Sequence, residues 1–231
     1  MNFTPTSPCK VLVLHPEPLV RAGIVASLRQ HVAFDVHESD AQDESAAPGP
    51  IDVVIADYRQ AMRQVDPSFQ AERPSHAPAR TVIVTSSERE GDIQRALRAG
   101  VHGYVLLGGP LSELVEGVAT VARGTRYLSL AAARRMADSL LHPALTAREL
   151  GVLERVVTGE SNKAIARGLN IEVGTVKTHL RAILSKLEAT SRTQAANIAI
   201  SRGLVDEPAP VPSAPLPPKA AWPSVALHAG A

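Results

Sequence analysis

Lys177 and Arg181 stand four residues apart in EVGTVKTHLRAILSKL, residues 172–187. On a helix this spacing turns both cations to one face. Long cationic side chains on such a face reach base edges and phosphates. A second candidate place for chemistry lies near the other end of the chain. VLVLHPEPLVRAG, residues 11–23, reads as four aliphatic residues, a turn broken by Pro16 and Pro18, and the start of a helix. A strand that ends in a turn at a helix start is where many α/β proteins place a metal or phosphate site. That chemistry wants carboxylates at the strand end. Here the strand ends in His15 and Pro16, so the site has either lost its chemistry or never had it.

The elements around these residues fall into two patterns. In the first part, VLVL (11–14), FDV (34–36), IDVVIA (51–56), TVIVT (81–85) and GYVLL (103–107) read as strands. The near-continuous aliphatics of the later three fit parallel strands buried on both faces. Helical stripes lie between them at 19–30, 92–99 and 111–123, the last with Pro110 at its start and Gly124 after its end. This alternation predicts a doubly wound parallel α/β sheet of five strands, flavodoxin-like, with helices on both faces. Two connections are poor. Residues 39–50 offer only a short acidic helix, and the prolines of 59–80 leave at best a short one over 68–73. A linker with a short helix follows over 125–143.

The second part is all helical: 146–158, 162–169, 173–187 and 193–202. Thr146 and Glu149 have the spacing of a capping box. NKAIARGL, the turn Asn170–Ile171 and the next helix make a helix-turn-helix, whose second helix can lie in the major groove. Ile165, Leu169, Val176, Leu180, Ile183, Leu184 and Leu187 supply its core. The tail from 206 carries seven prolines between 208 and 223, with Trp222 among them, and is expected to be disordered.

Charge separates the two parts. Residues 1–143 carry 14 Lys and Arg against 16 Asp and Glu, whereas residues 144–205 carry 9 against 5. Only the second part is suited to a polyanion. The single cysteine, Cys9, excludes an internal disulfide and fits a reducing compartment. No apolar run reaches the length of a membrane span and no signal peptide precedes the first strand. A cytoplasmic protein without membrane partners is expected. The eight histidines, Ser86–Ser87 and Cys9 form no nucleophile–base arrangement legible in sequence, so no enzyme is expected.

LTARELGVLERVVTGESNKAIARGLNIEVGTVKTHLRAILSKLEATSRTQAANIAISRGL, residues 145–204, resembles the LuxR-type DNA-binding domain almost throughout. The resemblance rests on LTxRE, SNKxIA, GTVKxHLxxILxKL and SRTQA. It implies an all-α, four-helix domain over 144–205 that binds double-stranded DNA. Lys177, Thr178 and Arg181 would face bases. Ser161, Asn162, Lys163, Thr175, His179, Lys186, Ser191 and Arg192 would lie near phosphates or at helix junctions. The last helix would pair with its copy in a homodimer and set half-site spacing.

Residues 9–124 resemble the receiver domain of NarL/FixJ-type response regulators. VLVLHPEPLVRAGIVASL resembles its first strand and helix. IDVVIADYRQA resembles the strand that ends in the phosphoacceptor, placing Asp57 there. Thr85, at the end of TVIVT, takes the switch hydroxyl position, and Tyr104, in GVHGYVLLGGP, that of the switch aromatic. Receiver chemistry needs Mg²⁺ held by carboxylates and a lysine on the phosphoryl group. Here His15 and Pro16 occupy the acidic pair, Leu107 the lysine position, and Ala61 the place of a proline. Glu17 reaches the metal position only if its loop shifts.

The reading is therefore a DNA-binding transcription regulator with a degenerate receiver. Asp57 would be a vestigial anion held by Arg59 or His15. No cofactor is expected, and weak Mg²⁺ binding only if the receiver works. Control would come from a small molecule, a protein ligand or concentration. One alternative is a conventional regulator phosphorylated on Asp57 by a histidine kinase. Another is an antagonist that dimerises with a related regulator, which the intact basic face argues against.

Overall fold

Six short runs rich in Val, Ile and Leu line up side by side in one parallel sheet: β1 (Cys9–Leu14), β2 (Phe34–Glu38), β3 (Val53–Ala56), β4 (Arg80–Thr85), β5 (Gly103–Leu106) and β6 (Tyr127–Leu128). Their order is β2-β1-β3-β4-β5-β6. The computed structural model describes residues 7–39, 49–71 and 79–206. Residues 40–48 of the weak acidic segment, residues 72–78, and 207–231 with Trp222 lie outside the described residues. The five expected strands are present and the doubly wound order is that of a flavodoxin-like sheet. The strand count is corrected to six. Tyr127–Leu128 adds to the β5 edge in parallel, with Gly103 opposite Tyr127.

Strand alternation divides the side chains between two buried layers. Val11, Val13, Val53, Ile55, Val82 and Val84 pack against α1 (Pro18–Arg29) and α5 (Leu111–Ala122). Leu12, Leu14, Val54, Ala56, Ile83 and Tyr104 pack on the other face. That face is covered by α2 (Tyr58–Gln64), α4 (Glu90–Ala99) and α6 (Leu130–Ser139). The helix α2 was not expected from the sequence. It forms directly after β3 because Asp57 caps it and no proline intervenes before α3 (Pro67–Ala71), and it buries Ala61.

The stretch expected as a linker is tied to the first domain. Ser129 is fully buried. Its Oγ accepts the N–H of Leu106 at 3.2 Å and caps α6. Ala132 and Met136 of that helix belong to the layer under Tyr104.

The second domain is α7 (Ala147–Val157), α8 (Asn162–Leu169), α9 (Val173–Lys186) and α10 (Arg192–Ser201) around its own core of Val152, Leu153, Ile165, Val176, Ile183 and Ala199. The turn between α8 and α9 depends on Asn170, which is left-handed with φ 52° and ψ 52°. Among residues with a side chain, asparagine adopts that conformation at low cost, and so ends α8 without glycine. Among the described residues no helix is long and apolar enough to cross a membrane.

Candidate functional site

Parallel registration brings the first candidate site together at the carboxyl ends of the strands. Leu14 of β1 pairs with Ala56 of β3, so His15 and Asp57 follow two paired residues. Thr85 ends β4 opposite Leu106 of β5, and Leu107 follows. His15 is buried, 2% exposed, and its Nδ1 accepts the N–H of Glu17 at 3.2 Å. Its carbonyl accepts Nη1 of Arg21 at 2.9 Å. The imidazole is thus a capping group within its own turn. Pro16 and Glu17 are exposed.

Asp57 is half-buried, and its Oδ1 accepts the Gln60 N–H at 2.9 Å at the head of α2. The expected pairing with Arg59 or His15 does not form. Among the described residues the carboxylate is engaged by a helix N-terminus instead, which satisfies one of its unpaired N–H groups. Leu107 follows β5 rather than belonging to it, and the residue is 39% exposed. An acidic Mg²⁺ site needs several oxygen ligands. The donors here are one capping carboxylate and one imidazole whose Nδ1 is already in use, a poor fit for that ion. Among the described residues no group of three His, Cys, Asp or Glu converges as a metal site.

Thr85 and Tyr104, the residues expected at the switch positions, are joined through Ser87. Tyr104 is fully buried and its OH donates to the Ser87 carbonyl at 3.0 Å. Burial, with Asp92 and Tyr58 nearby, pushes its phenol well above the usual tyrosine range. The Ser87 N–H donates to Thr85 Oγ1 at 3.1 Å. Cys9 stands apart, half-buried on β1. Burial and then Asp52 push its thiol up to about 11, the profile of an inert residue.

The second candidate site is the surface of α9. Lys177, Thr178 and Arg181 are exposed there, as are Thr175 and, on α8, Lys163. Among the described residues Lys163, Lys177 and Arg181 have no hydrogen-bond or ion-pair partner. Thr178 Oγ1 donates to the Gly174 carbonyl at 3.2 Å. His179 is half-buried on the same helix. Ser161 caps α8 and Ser191 caps α10, each accepting a backbone N–H three residues on.

Three of the residues expected near phosphates or at helix junctions are engaged inside the domain. Lys186 Nζ donates to Glu149 Oε2 at 2.7 Å and to the Ala144 carbonyl at 3.0 Å. Arg192 donates from Nη1 to Asn162 Oδ1 at 3.1 Å and from Nη2 to the Glu160 carbonyl at 2.5 Å. These three therefore hold helix junctions: Lys186 and Arg192 donate to acceptors inside the domain, and Asn162 accepts from Arg192. The capping box forms as its spacing predicts: Thr146 N–H to Glu149 Oε2 at 2.7 Å, and Glu149 N–H to Thr146 Oγ1 at 3.3 Å. Burial works to raise the Glu149 carboxyl, but Lys186 and Thr146 outweigh it and hold it below the usual carboxylate range.

With this geometry in place, comparison with known proteins is informative. The sequence model of the family described as bacterial regulatory proteins, luxR family, matches residues 143–199. The nitrate/nitrite response regulator protein homolog of Haemophilus influenzae is 34% identical over 199 residues, covering 80% of this chain and 93% of that protein. The chain belongs to the NarL-type response regulators with a LuxR-type DNA-binding domain. This regulator is also 31% identical to the nitrate/nitrite response regulator NarP of Escherichia coli over 202 residues, covering 82% of the chain and 93% of NarP. Among solved structures, the RcsB response regulator of Salmonella typhimurium shares its fold, with a TM-score of 0.61 at 18% identity over 82% of this chain and 98% of that one.

One group of contacts in the regulator had no signal in the sequence. Glu90 and Arg202, which pair across the two domains, are 112 residues apart in the chain.

Proposed function

We propose that this regulator binds specific DNA sequences as a homodimer to control transcription, and that its receiver acts without phosphorylation. The observation that carries the proposal is the α9 surface. Its two cations, Lys177 and Arg181, stand exposed and unpaired beside Thr178 among the described residues, on the second helix of a helix-turn-helix. Unpaired cations on that helix serve phosphates and base edges at little desolvation cost. An antagonist that never touched DNA would have no use for them.

The control part of the proposal is supported by His15. A buried imidazole fixed in its own turn occupies the strand end where Mg²⁺ would need carboxylates, and Asp57 spends an oxygen on Gln60. The ordinary route to the aspartyl phosphate needs the metal to neutralise charge on the transferring group. A small molecule, a protein ligand or concentration would then set the state of the receiver. No kinase partner is required, and no membrane partner is proposed.

Both parts are tested with the purified protein. Selection from a random duplex library should return one enriched motif with two half-sites, and Lys177→Ala with Arg181→Ala should abolish the enrichment. Labelled acetyl phosphate should leave no label on the protein. Label that disappears in Asp57→Asn would instead establish the conventional, kinase-driven regulator.

A further inference from the structure

Thr178 has one hydroxyl proton, and its own helix takes it. Oγ1 donates to the Gly174 carbonyl at 3.2 Å, one turn back along α9. Threonine on a helix can turn its hydroxyl this way, onto a carbonyl three or four residues earlier. The consequence is chemical. A hydroxyl whose proton is committed cannot donate to N7 or O6 of guanine, or to O4 of thymine. Thr178 is nevertheless exposed. The group it has left for an apolar contact is its γ-methyl.

Gly174 is the neighbour of Thr178 on the same face, four residues earlier. It stands three and seven residues before Lys177 and Arg181, spacings that also share a helix face. Gly174 is itself exposed. Among the described residues nothing calls for glycine there. Its φ is not positive, and a Cβ built on it would meet no atom within 4 Å. Glycine is also less favourable than alanine in a helix. The remaining use for a bare backbone on an exposed face is to let a ligand come close. Gly174 leaves open space next to Thr178, on the face that carries both unpaired cations.

We propose that Gly174 and Thr178 read thymine in the major groove: the 5-methyl group of one thymine per half-site packs on the Thr178 methyl, in the space that Gly174 leaves open. Thymine is the base that shows a methyl group in that groove, and apolar contact with a threonine methyl is one way to read it. Lys177 and Arg181 serve acceptors on phosphates and bases, and the Gly174–Thr178 pair adds a discrimination that a cation does not make. The proposal rests on the reading, made above, that this regulator binds specific DNA through α9.

The duplex selected from the random library is the probe. Each of its thymines is replaced in turn by deoxyuridine, which removes the methyl group and keeps every hydrogen-bonding group. Anisotropy titrations of the full chain at fixed salt give the ratio of the two affinities. At one thymine in each half-site the replacement should weaken wild-type binding about fourfold, the effect of one buried methyl group. Thr178→Ser keeps the hydroxyl and loses the methyl, and should bring that ratio to one. Thr178→Val loses the hydroxyl and keeps the methyl, and should retain the ratio. Gly174→Ala fills the open space and should also bring the ratio towards one. Its melting temperature should be no lower than that of wild type, which shows an intact fold. Gly151→Ala, at an equally open position on α7, should leave the ratio as it is.

A selected motif with no thymine in its half-sites overturns the proposal, and so does a ratio of one at every thymine for wild type. A methyl effect that survives in Thr178→Ser belongs to another residue and overturns it equally. Loss of the ratio in Thr178→Val makes the hydroxyl the reading group instead. A wild-type ratio in Gly174→Ala overturns the part assigned to Gly174. In each of these results specific binding persists, so the DNA-binding reading stands. The absence of any enriched motif is the separate result by which that reading fails, and the thymine contact fails with it.

Discussion

Glu149 Oε2 accepts from both Lys186 Nζ and the Thr146 backbone N–H, each at 2.7 Å. One buried oxygen thus joins the start of α7 to the end of α9, the helix that carries Lys177 and Arg181. Lys186 is only 27% exposed, and the carboxylate it meets is 7% exposed.

Removing Lys186 should therefore cost stability before it costs DNA affinity. Lys186→Met leaves a buried charged acceptor with one partner fewer, a loss of roughly 1–3 kcal/mol. The effect should depend on pH with a definite sign. The Glu149 carboxyl is held below its ordinary 4.5 when folded, so its contribution is complete above that value and is lost as pH falls below it. Chemical unfolding of wild type and variant should show a gap at pH 7 that narrows in acid. An equal gap in acid would count against the pair.

Asn170 should tolerate glycine and resist alanine. Its φ of 52° suits glycine at no steric cost, whereas alanine there pays about 1–2 kcal/mol. Thermal melts of Asn170→Gly and Asn170→Ala should place the first within a few tenths of a kcal/mol of wild type and the second clearly below it. Equal melting temperatures for the two variants would mean that the turn adopts another conformation.

The cations of the second domain should sort into two classes by their response to salt. Lys177→Ala and Arg181→Ala each remove an exposed cation proposed to reach base edges, and each should weaken specific binding by about 1–3 kcal/mol. Lys163→Ala should weaken binding to all sequences and reduce the salt slope by about 1. Arg192, anchored on Asn162 and the Glu160 carbonyl, should instead lower the melting temperature when replaced by alanine. Titrations of the selected duplex at several salt concentrations separate these outcomes.

Cys9 should be a poor nucleophile in the folded protein. With its thiol pushed up to about 11, little thiolate exists at pH 8, and alkylation should accelerate as pH rises towards that value. Iodoacetamide should react at the rate of a free cysteine only after denaturant is added. Rapid labelling of the native protein at pH 8 would contradict the burial described for β1.

Much of this was legible because it is local. The aliphatic runs marked the strands, Thr146 and Glu149 announced their capping box, and Asn170 marked the turn before α9. The helix α2 was not legible, because its reason to form is the capping carboxylate of Asp57, and that residue reads more naturally as chemistry than as structure. The sixth strand escaped because two residues, Tyr127 and Leu128, carry no periodic pattern. For Lys186 and Arg192 the sequence leaves open a place near phosphates or at a helix junction. Their acceptors, Glu149, Asn162 and the Glu160 carbonyl, are 30 or more residues away and become visible only in three dimensions. The same distance problem hid the α4–α10 contact.

The central claim is that the receiver of this regulator works without the aspartyl phosphate. A thermal melt with and without millimolar Mg²⁺ and beryllofluoride, a mimic of the phosphoryl group, tests it most directly. A ligand at a hundred times its dissociation constant stabilises by about 2.7 kcal/mol, a readily visible shift. The predicted result is an unmoved melting temperature, because His15 and a capping Asp57 leave the ion too few ligands. A shift that disappears in Asp57→Ala would contradict it.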